Sequence, residues 1–187
     1  MGRNSILSRY TVRYIDKNEA NGMNQIFLLR VLCRENEGYV NFHKFPNGWK
    51  DYFDNTAYNF GCFMDDELIA AIRLNYYENI NECPYFIGFN LINEIKIEGY
   101  MAYISRLSIH PSYQKLGISK LLFDCAENHS KAMKCYNILG DCYSPLTDKY
   151  SSAPFAYKIV GKLSVNKVKD WPLKPFDSDL IYKNLLK

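Results

Sequence analysis

The sequence predicts an α+β fold, with α/β-type layering of strands and helices around one sheet. Three observations carry this. Strand-like and helix-like periodicities alternate along the chain. Two segments rich in strand formers flank the short polar connection Asp65-Asp66-Glu67, the pattern of a hairpin. The longest strand-like run, Tyr100 to Ile109, passes through His110-Pro111 into an amphipathic helix. At 187 residues with 48% hydrophobic content, the chain has the length and the apolar material for a single domain, residues 1–187.

Ser8 to Ile15 sets Tyr10, Val12 and Tyr14 at every second position and predicts a half-buried strand. Asp16-Lys17-Asn18-Glu19 has the form of a capping box, in which Asp16 accepts from free amides of the first helical turn and Glu19 reaches back to the cap. Ala20, Met23, Phe27, Leu28 and Val31 then recur at helical spacing as one buried face, ended by Asn36-Glu37-Gly38. Tyr39 to Asn55 is irregular and aromatic, with a turn at Phe45-Pro46-Asn47-Gly48 and a short helix over Trp49 to Phe53. Tyr58 to Met64 and Leu68 to Tyr76 form the hairpin. Tyr77 to Gly99, with Pro84 early and apolar residues from Tyr85 to Ile95, reads as a loop carrying a short strand or helix. After the long strand, Gly117 to His129 puts Ile118, Leu121, Leu122 and Cys125 on one helical face. Tyr136 to Cys142 reads as a strand, Asp148 to Val160 as a helix and Asp179 to Leu186 as a terminal strand.

Several function classes drop out. Lys and Arg total 23 against 20 Asp and Glu, a net charge of +3 without any block of like charge, which argues against nucleic acid as a partner. No apolar run approaches the roughly 20 residues that cross a bilayer, and Ile6 stands where a myristoylation signal needs Ser or Thr, so no membrane partner is expected. The cysteines at 33, 62, 83, 125, 135 and 142 contain no C-x-x-C pair and follow no secretory leader. They read as buried thiols of a cytoplasmic protein, and no His or acidic spacing around them forms a metal set, so no metal is expected. The 16 Tyr and 11 Phe, concentrated partly between Tyr39 and Phe63, fill a core and line part of an apolar cleft.

Chemistry concentrates between Ile104 and Phe123, where a strand passes through a turn into a helix that begins at a glycine. The first amides of a helix have no internal partners and stand at the positive end of its dipole, so such a turn can hold a pyrophosphate by backbone alone. Gly117 permits close approach, Ser119 is compact, and Lys115 and Lys120 add positive charge nearby.

Leu107-x-Ile109-x-Pro111-x-x-Gln114-x-x-Gly117-x-Ser119 resembles the acyl-CoA motif of the GNAT N-acyltransferase superfamily, usually written Q/R-x-x-G-x-G/A, with Ser119 at its last position. The order of elements is similar to that superfamily over nearly the whole chain. Tyr157-Lys-Ile-Val-Gly161-Lys162 is similar to its Y-x-x-x-G-F ending, with Lys162 in place of Phe. The resemblance implies the GNAT fold: a central, mixed, mostly antiparallel sheet with helices on both faces. It implies that acetyl-CoA or another acyl-CoA is the co-substrate, its pantetheine arm along the backbone of Leu107 and Ile109. Its pyrophosphate would lie on the amides of Gln114, Lys115, Leu116, Gly117, Ile118 and Ser119. Tyr157 would donate a proton to the departing thiolate, and a backbone N–H near Leu107 would stabilise the oxyanion formed by direct amine attack. Many members carry a Glu on the long strand as general base. Tyr100 to Ile109 holds no carboxylate, and Arg106, a catalytic candidate beside Tyr157, stands where the acid is often found, so water or another segment must serve as base.

A narrower resemblance, to the autoinducer synthases and the related N-acyl amino acid synthases, rests on four features in order. These are Arg30 in the first helix, Asp51 and Asp54 in a D-x-x-D, Arg73-Leu74 on the hairpin and Ser105-Arg106 on the long strand. It implies carboxylates facing arginines, which lock the acceptor-side wall of the cleft, or an arginine that binds the carboxylate of an amino acid substrate. The Glu that those synthases place three residues before the strand arginine is Tyr103 here. The expected function is therefore acyl transfer from acyl-CoA to a primary amine of a small molecule or peptide, by a monomer or homodimer. The alternatives are a synthase of the N-acyl amino acid or homoserine lactone type fed by acyl carrier protein, and a non-catalytic acyl-CoA-binding module.

Overall fold

The computed structural model describes residues 9–36, 42–83, 89–91, 97, 99–143, 146–163 and 178–186. The chain divides into two compact units, Met1–Asn75 with Arg106–Ala126, and Tyr76–Ser105 with Glu127–Lys187. The sequence-derived helix end at Gly38 and the Tyr85 to Ile95 segment apart from residues 89–91 lie outside the described residues, as do Met1, Gly2 and Ile6.

In the first unit, β1 (Thr11–Ile15) is followed by α1 (Ala20–Asn36). The capping box expected at Asp16–Glu19 does not form. Asp16 accepts from the amide of Asn18 at 2.8 Å, while the Glu19 carboxylate pairs with both terminal nitrogens of Arg13 at 2.8 and 2.9 Å. A bidentate, charge-assisted pair outcompetes a single bond to a backbone amide. A capping box forms instead at Asp51–Asp54. It caps a 3-10 helix at Tyr52–Asn55, three residues beyond the start expected for a helix over Trp49 to Phe53. α1 buries Met23, Ile26, Leu29, Arg30, Val31 and Cys33, whereas Phe27 and Leu28 of the expected face are half-buried. The buried stripe contains an arginine, so counting apolar residues alone tilts the face. Ile15, Leu68 and Ala71 complete this core.

β2 (Tyr58–Met64) pairs antiparallel with β1 and with β3 (Glu67–Tyr77), giving the order β1-β2-β3 in this unit. Asp65 and Asp66 have φ of 48° and 68°, the doubly left-handed turn whose twist matches a two-residue hairpin. The first unit also holds Arg106 to Ile109 of β5 (Met101–Ile109), a 3-10 turn at Pro111–Tyr113 and the start of α2 (Ile118–Ala132). The His110 amide donates to the Ile69 carbonyl at 2.9 Å and ties the exit of β5 to β3. Ile118, Ser119, Leu122, Phe123 and Ala126 are buried, and Leu121 and Cys125 are half-buried.

The second unit carries the rest of β5 and the strands that pair outward from it. Met101 to Ile104 runs parallel to Asn137 to Gly140 of β6 (Asn137–Tyr143). The pairings of β6 with β8 (Ser178–Asn184), β8 with β7 (Lys158–Leu163) and β7 with β4 (Phe89–Leu91) are antiparallel. The sheet is thus mixed and mostly antiparallel, as expected of the GNAT fold. The helix expected over Asp148 to Val160 is a misreading: α3 covers only Thr147–Ser151. Pro154 lacks an amide and disfavours helix at the residue before it, so the chain turns and re-enters as β7.

All six cysteines are free thiols, five buried and Cys125 half-buried. Burial pushes Cys62 up to about 11 and Cys135 and Cys142 up to about 12, so these three are poor nucleophiles. Among the described residues no helix is long and apolar enough to cross a membrane.

Candidate active site

Both parts of the candidate site that the sequence marks most densely lie in the first unit. The first is the turn into α2. His110 caps the 3-10 turn by accepting from the Ser112 amide at 3.2 Å, and the Gln114 amide closes the turn on Pro111 at 3.4 Å. Lys115 and Gly117 are then left-handed, with φ of 64° and 87°. Left-handed residues alternating with right-handed ones turn successive amides to one side, the geometry of an anion nest. Among the described residues the amides of Lys115, Leu116 and Gly117 have no acceptor, and those of Ile118 and Ser119 open α2, where the helix itself supplies none. Gln114, Lys115, Leu116 and Gly117 are exposed, whereas the Ser119 side chain is buried. Two sequence-derived details shift. The Gln114 amide is already used, its side chain donating instead to the Ile109 carbonyl at 3.4 Å. Lys120 pairs with Asp124 one turn on, which spends part of its charge.

The second part is an ion network that joins all five residues of the Arg and Asp pattern. Arg30 donates to Asp54 Oδ2 at 2.9 Å, to the Trp49 carbonyl at 3.3 Å and to Asn59 Oδ1 at 3.2 Å. Arg73 bridges the two aspartates, 2.5 Å from Asp51 Oδ1 and 3.2 Å from Asp54 Oδ1. Arg106 closes the chain on Asp51 Oδ2, through Nε at 3.2 Å and Nη2 at 2.7 Å. The capping box supplies the remaining bonds, the Asp51 amide to Asp54 at 2.9 Å and the Phe53 amide to Asp51 at 3.0 Å. Trp49 lies against the Arg106 guanidinium, 4.1 Å from ring centroid to Cζ. Gly48 makes that placement possible: with φ of 86°, a Cβ there would come within 2.6 to 2.8 Å of Phe27 and the Leu28 amide.

Exposure separates the members of the network. The side chains of Arg30, Arg73 and Asp54 are 2%, 0% and 0% exposed, against 20% for Asp51 and 10% for Arg106. Arg30 and Arg73 are therefore closed to a substrate carboxylate, and Arg106 is the arginine of the set that reaches solvent. Burial alone would raise the Asp51 carboxyl, but Arg106 and Arg73 outweigh it and hold it down at about 2. Burial likewise opposes ionisation of Asp54, and Arg30 and Arg73 reverse the sign. A carboxyl this acidic is a poor proton acceptor at neutral pH, so Asp51 does not replace the base that β5 lacks.

A folded value below the unfolded one means stability that is present above about pH 4 and lost as pH falls toward 2. After allowance for solvent screening, the contribution is about 1–2 kcal/mol. Asp51→Asn is expected to flatten the acid limb of stability between those pH values, read by urea titration, and an unchanged limb contradicts this.

Tyr157 belongs to the second unit and stands just before β7, not on a helix. It is 2% exposed; its hydroxyl donates to Glu127 Oε1 at 3.1 Å, and Lys183 holds the same carboxylate at 2.8 and 2.9 Å. Gly161 lies inside β7 opposite Leu180, so the Y-x-x-x-G spacing here spans a strand.

Asn59 and Glu127 escaped the sequence reading. The signal for Asn59 was a lone amide in an otherwise strand-forming, apolar run. Glu127 offered a comparable one, an acid in line with the buried face of α2.

Comparison with known proteins agrees with this fold. The chain is similar to the N-acyl amino acid synthase FeeM from uncultured soil microbes, with a TM-score of 0.66 and 13% identity over 96% of this chain and 92% of that one. It is similar to Arabidopsis thaliana NAA60 in complex with acetyl-CoA, with a TM-score of 0.60 and 17% identity over 94% and 99%. It is also similar to Arabidopsis thaliana Naa50 in complex with the bisubstrate analogue CoA-Ac-MVNAL, with a TM-score of 0.62 and 15% identity over 94% and 99%. At such identities the likeness speaks for the fold alone. No curated protein matches the sequence. The profile of the acetyltransferase (GNAT) family matches residues 26–148, a span that includes the whole ion network and the whole nest. On that match the chain belongs to the acetyltransferase (GNAT) family.

Proposed function

We propose that the chain transfers an acyl group from acetyl-CoA or another acyl-CoA to a primary amine of a small molecule or peptide, directly and without a covalent enzyme intermediate. The observation that carries this reading is the run of uncapped amides from Lys115 to Ser119 at the exit of β5. A diphosphate is the ligand such a run suits, with charge for the helix dipole and acceptors for several donors at once. The acetyl-CoA and the CoA bisubstrate analogue held by two of the similar structures support the same donor class. The pantetheine arm follows Leu107 to Ile109. The Ile109 carbonyl is already shared by Gln114 and Cys33, so the arm uses the remaining groups of that strand.

The neutral amine attacks the thioester carbonyl, the C–N bond forms, and an amide near Leu107 takes the oxyanion. The C–S bond then breaks, and the coenzyme leaves as a thiolate. The ammonium proton passes to water, since β5 carries no carboxylate. Tyr157 is the candidate proton donor to the thiolate and would exchange Glu127 for it. Tyr157→Phe is expected to lower kcat severalfold with the donor KM nearly unchanged, and an unaltered kcat makes Tyr157 a core residue only.

The test of the reading is thiol release from acetyl-CoA and longer acyl-CoAs across a panel of amines. Release that depends on an amine supports it, and tight donor binding without release on any amine indicates a binding module. The ion network, together with the likeness to FeeM, favours a second reading, acylation of an amino acid with the acyl chain delivered by a carrier protein. A new N-acyl amino acid in lipid extracts of overproducing cells supports that reading over the first.

A further inference from the structure

We propose that Asp51 and Trp49 are positioning residues whose task is to hold the backbone of Arg106 left-handed, and that the reaction uses this backbone conformation and not the arginine's charge. The inference rests on the donor reading above and adds to it the device that aims the oxyanion-binding amide. Arg106 has φ of 56° inside β5. Of the other non-glycine residues with positive φ among the described residues, Asp65, Asp66, Lys115, Lys134 and Ala156 all stand outside strands. A long side chain pays for left-handed backbone, and the conformation persists only where the surroundings impose it.

Those surroundings are visible. Asp51 grips the guanidinium through two nitrogens, and the Trp49 ring covers it at 4.1 Å. Each holder is itself fixed: Asp51 by Arg73 at 2.5 Å and the Phe53 amide at 3.0 Å, Trp49 by its amide on the Phe27 carbonyl at 3.0 Å. The local consequence is visible too. Arg106 and Leu107 are both half-exposed, where an unbroken strand would point them to opposite faces, and the Arg106 carbonyl accepts from the Ser108 hydroxyl at 3.3 Å. A left-handed residue within a strand interrupts the local pairing ladder, and in the proposal the amide this device aims is the next one along, that of Leu107.

Comparing Arg106→Gly with Arg106→Ala tests this directly. Both remove the guanidinium and its pairing with Asp51, but only glycine adopts positive φ without penalty. The expected kcat of Arg106→Gly exceeds that of Arg106→Ala by roughly tenfold, the size of a left-handed penalty, with acetyl-CoA affinity alike in the two. Asp51→Ala slows turnover, and adding Arg106→Gly to it restores turnover to the level of Arg106→Gly alone. Equal loss in the Gly and Ala variants, or no rescue of Asp51→Ala, overturns the proposal and leaves the donor reading standing. A wild-type protein that binds no acyl-CoA removes the donor reading and this inference with it. Melting curves of both Arg106 variants establish that each is folded at the assay temperature.

Discussion

Asp54→Ala is expected to lower the free energy of unfolding by about 3–5 kcal/mol, the cost of stripping a buried ion of its counter-charge. Asp54 Oδ2 accepts from Arg30 and from the Asp51 amide, both at 2.9 Å, and Oδ1 accepts from Arg73 at 3.2 Å. Without it, Arg30 keeps only two neutral acceptors, the Trp49 carbonyl and Asn59 Oδ1, in a site where its Nε already lacks a partner. Arg30 is 1% exposed, so water cannot take the place of the carboxylate. Asp54→Asn keeps the shape and some of the hydrogen bonding, so the gap between the Ala and Asn variants in urea titration separates packing from charge. A loss under about 1 kcal/mol for Asp54→Ala would mean that the network is solvated and contributes as surface pairs do.

Gly117→Val is expected to weaken acetyl-CoA binding by roughly tenfold to a hundredfold while leaving the fold intact. Gly117 has φ of 87°, a region that β-branched residues avoid, and it sits in the middle of the uncapped amides. Valine there either twists the turn and scatters the amides or places two methyl groups where the diphosphate oxygens would lie. The residue is exposed, so the core is untouched and the melting temperature falls little. Unchanged affinity in calorimetric titration would show that the donor phosphates lie elsewhere.

The legible parts of the chain were those whose cause is local. Pro111 and Gly117 punctuate the turn before α2 whatever the rest of the molecule does, and Asp65-Asp66 can only be a tight connection between two strand-forming runs. The Arg and Asp pattern was legible as a set of candidates but not as a circuit. That Arg73 bridges both aspartates, and that Asp51 also grips Arg106, depends on β3, the capped 3-10 turn and β5 meeting in three dimensions. Asn59 shows the same limit, because its role exists only once Arg30 is buried beside it.

The misread helix over Asp148 to Val160 has a local cause that was outweighed. Apolar spacing suggested helix, while Pro154 forbade it and pairing with β8 rewarded a strand. At Asp16 the local signal was right in kind but lost to a stronger partner, since Arg13 on β1 reaches Glu19 first.

The most direct measurement is a pair of calorimetric titrations on the intact chain, one with acetyl-CoA and one with S-acetylpantetheine, which shares the thioester and arm but lacks the nucleotide diphosphate. If the amides from Lys115 to Ser119 hold the diphosphate, acetyl-CoA binds at least tenfold more tightly and Gly117→Val erases most of the difference. Equal affinity for the two compounds would contradict the account at its base.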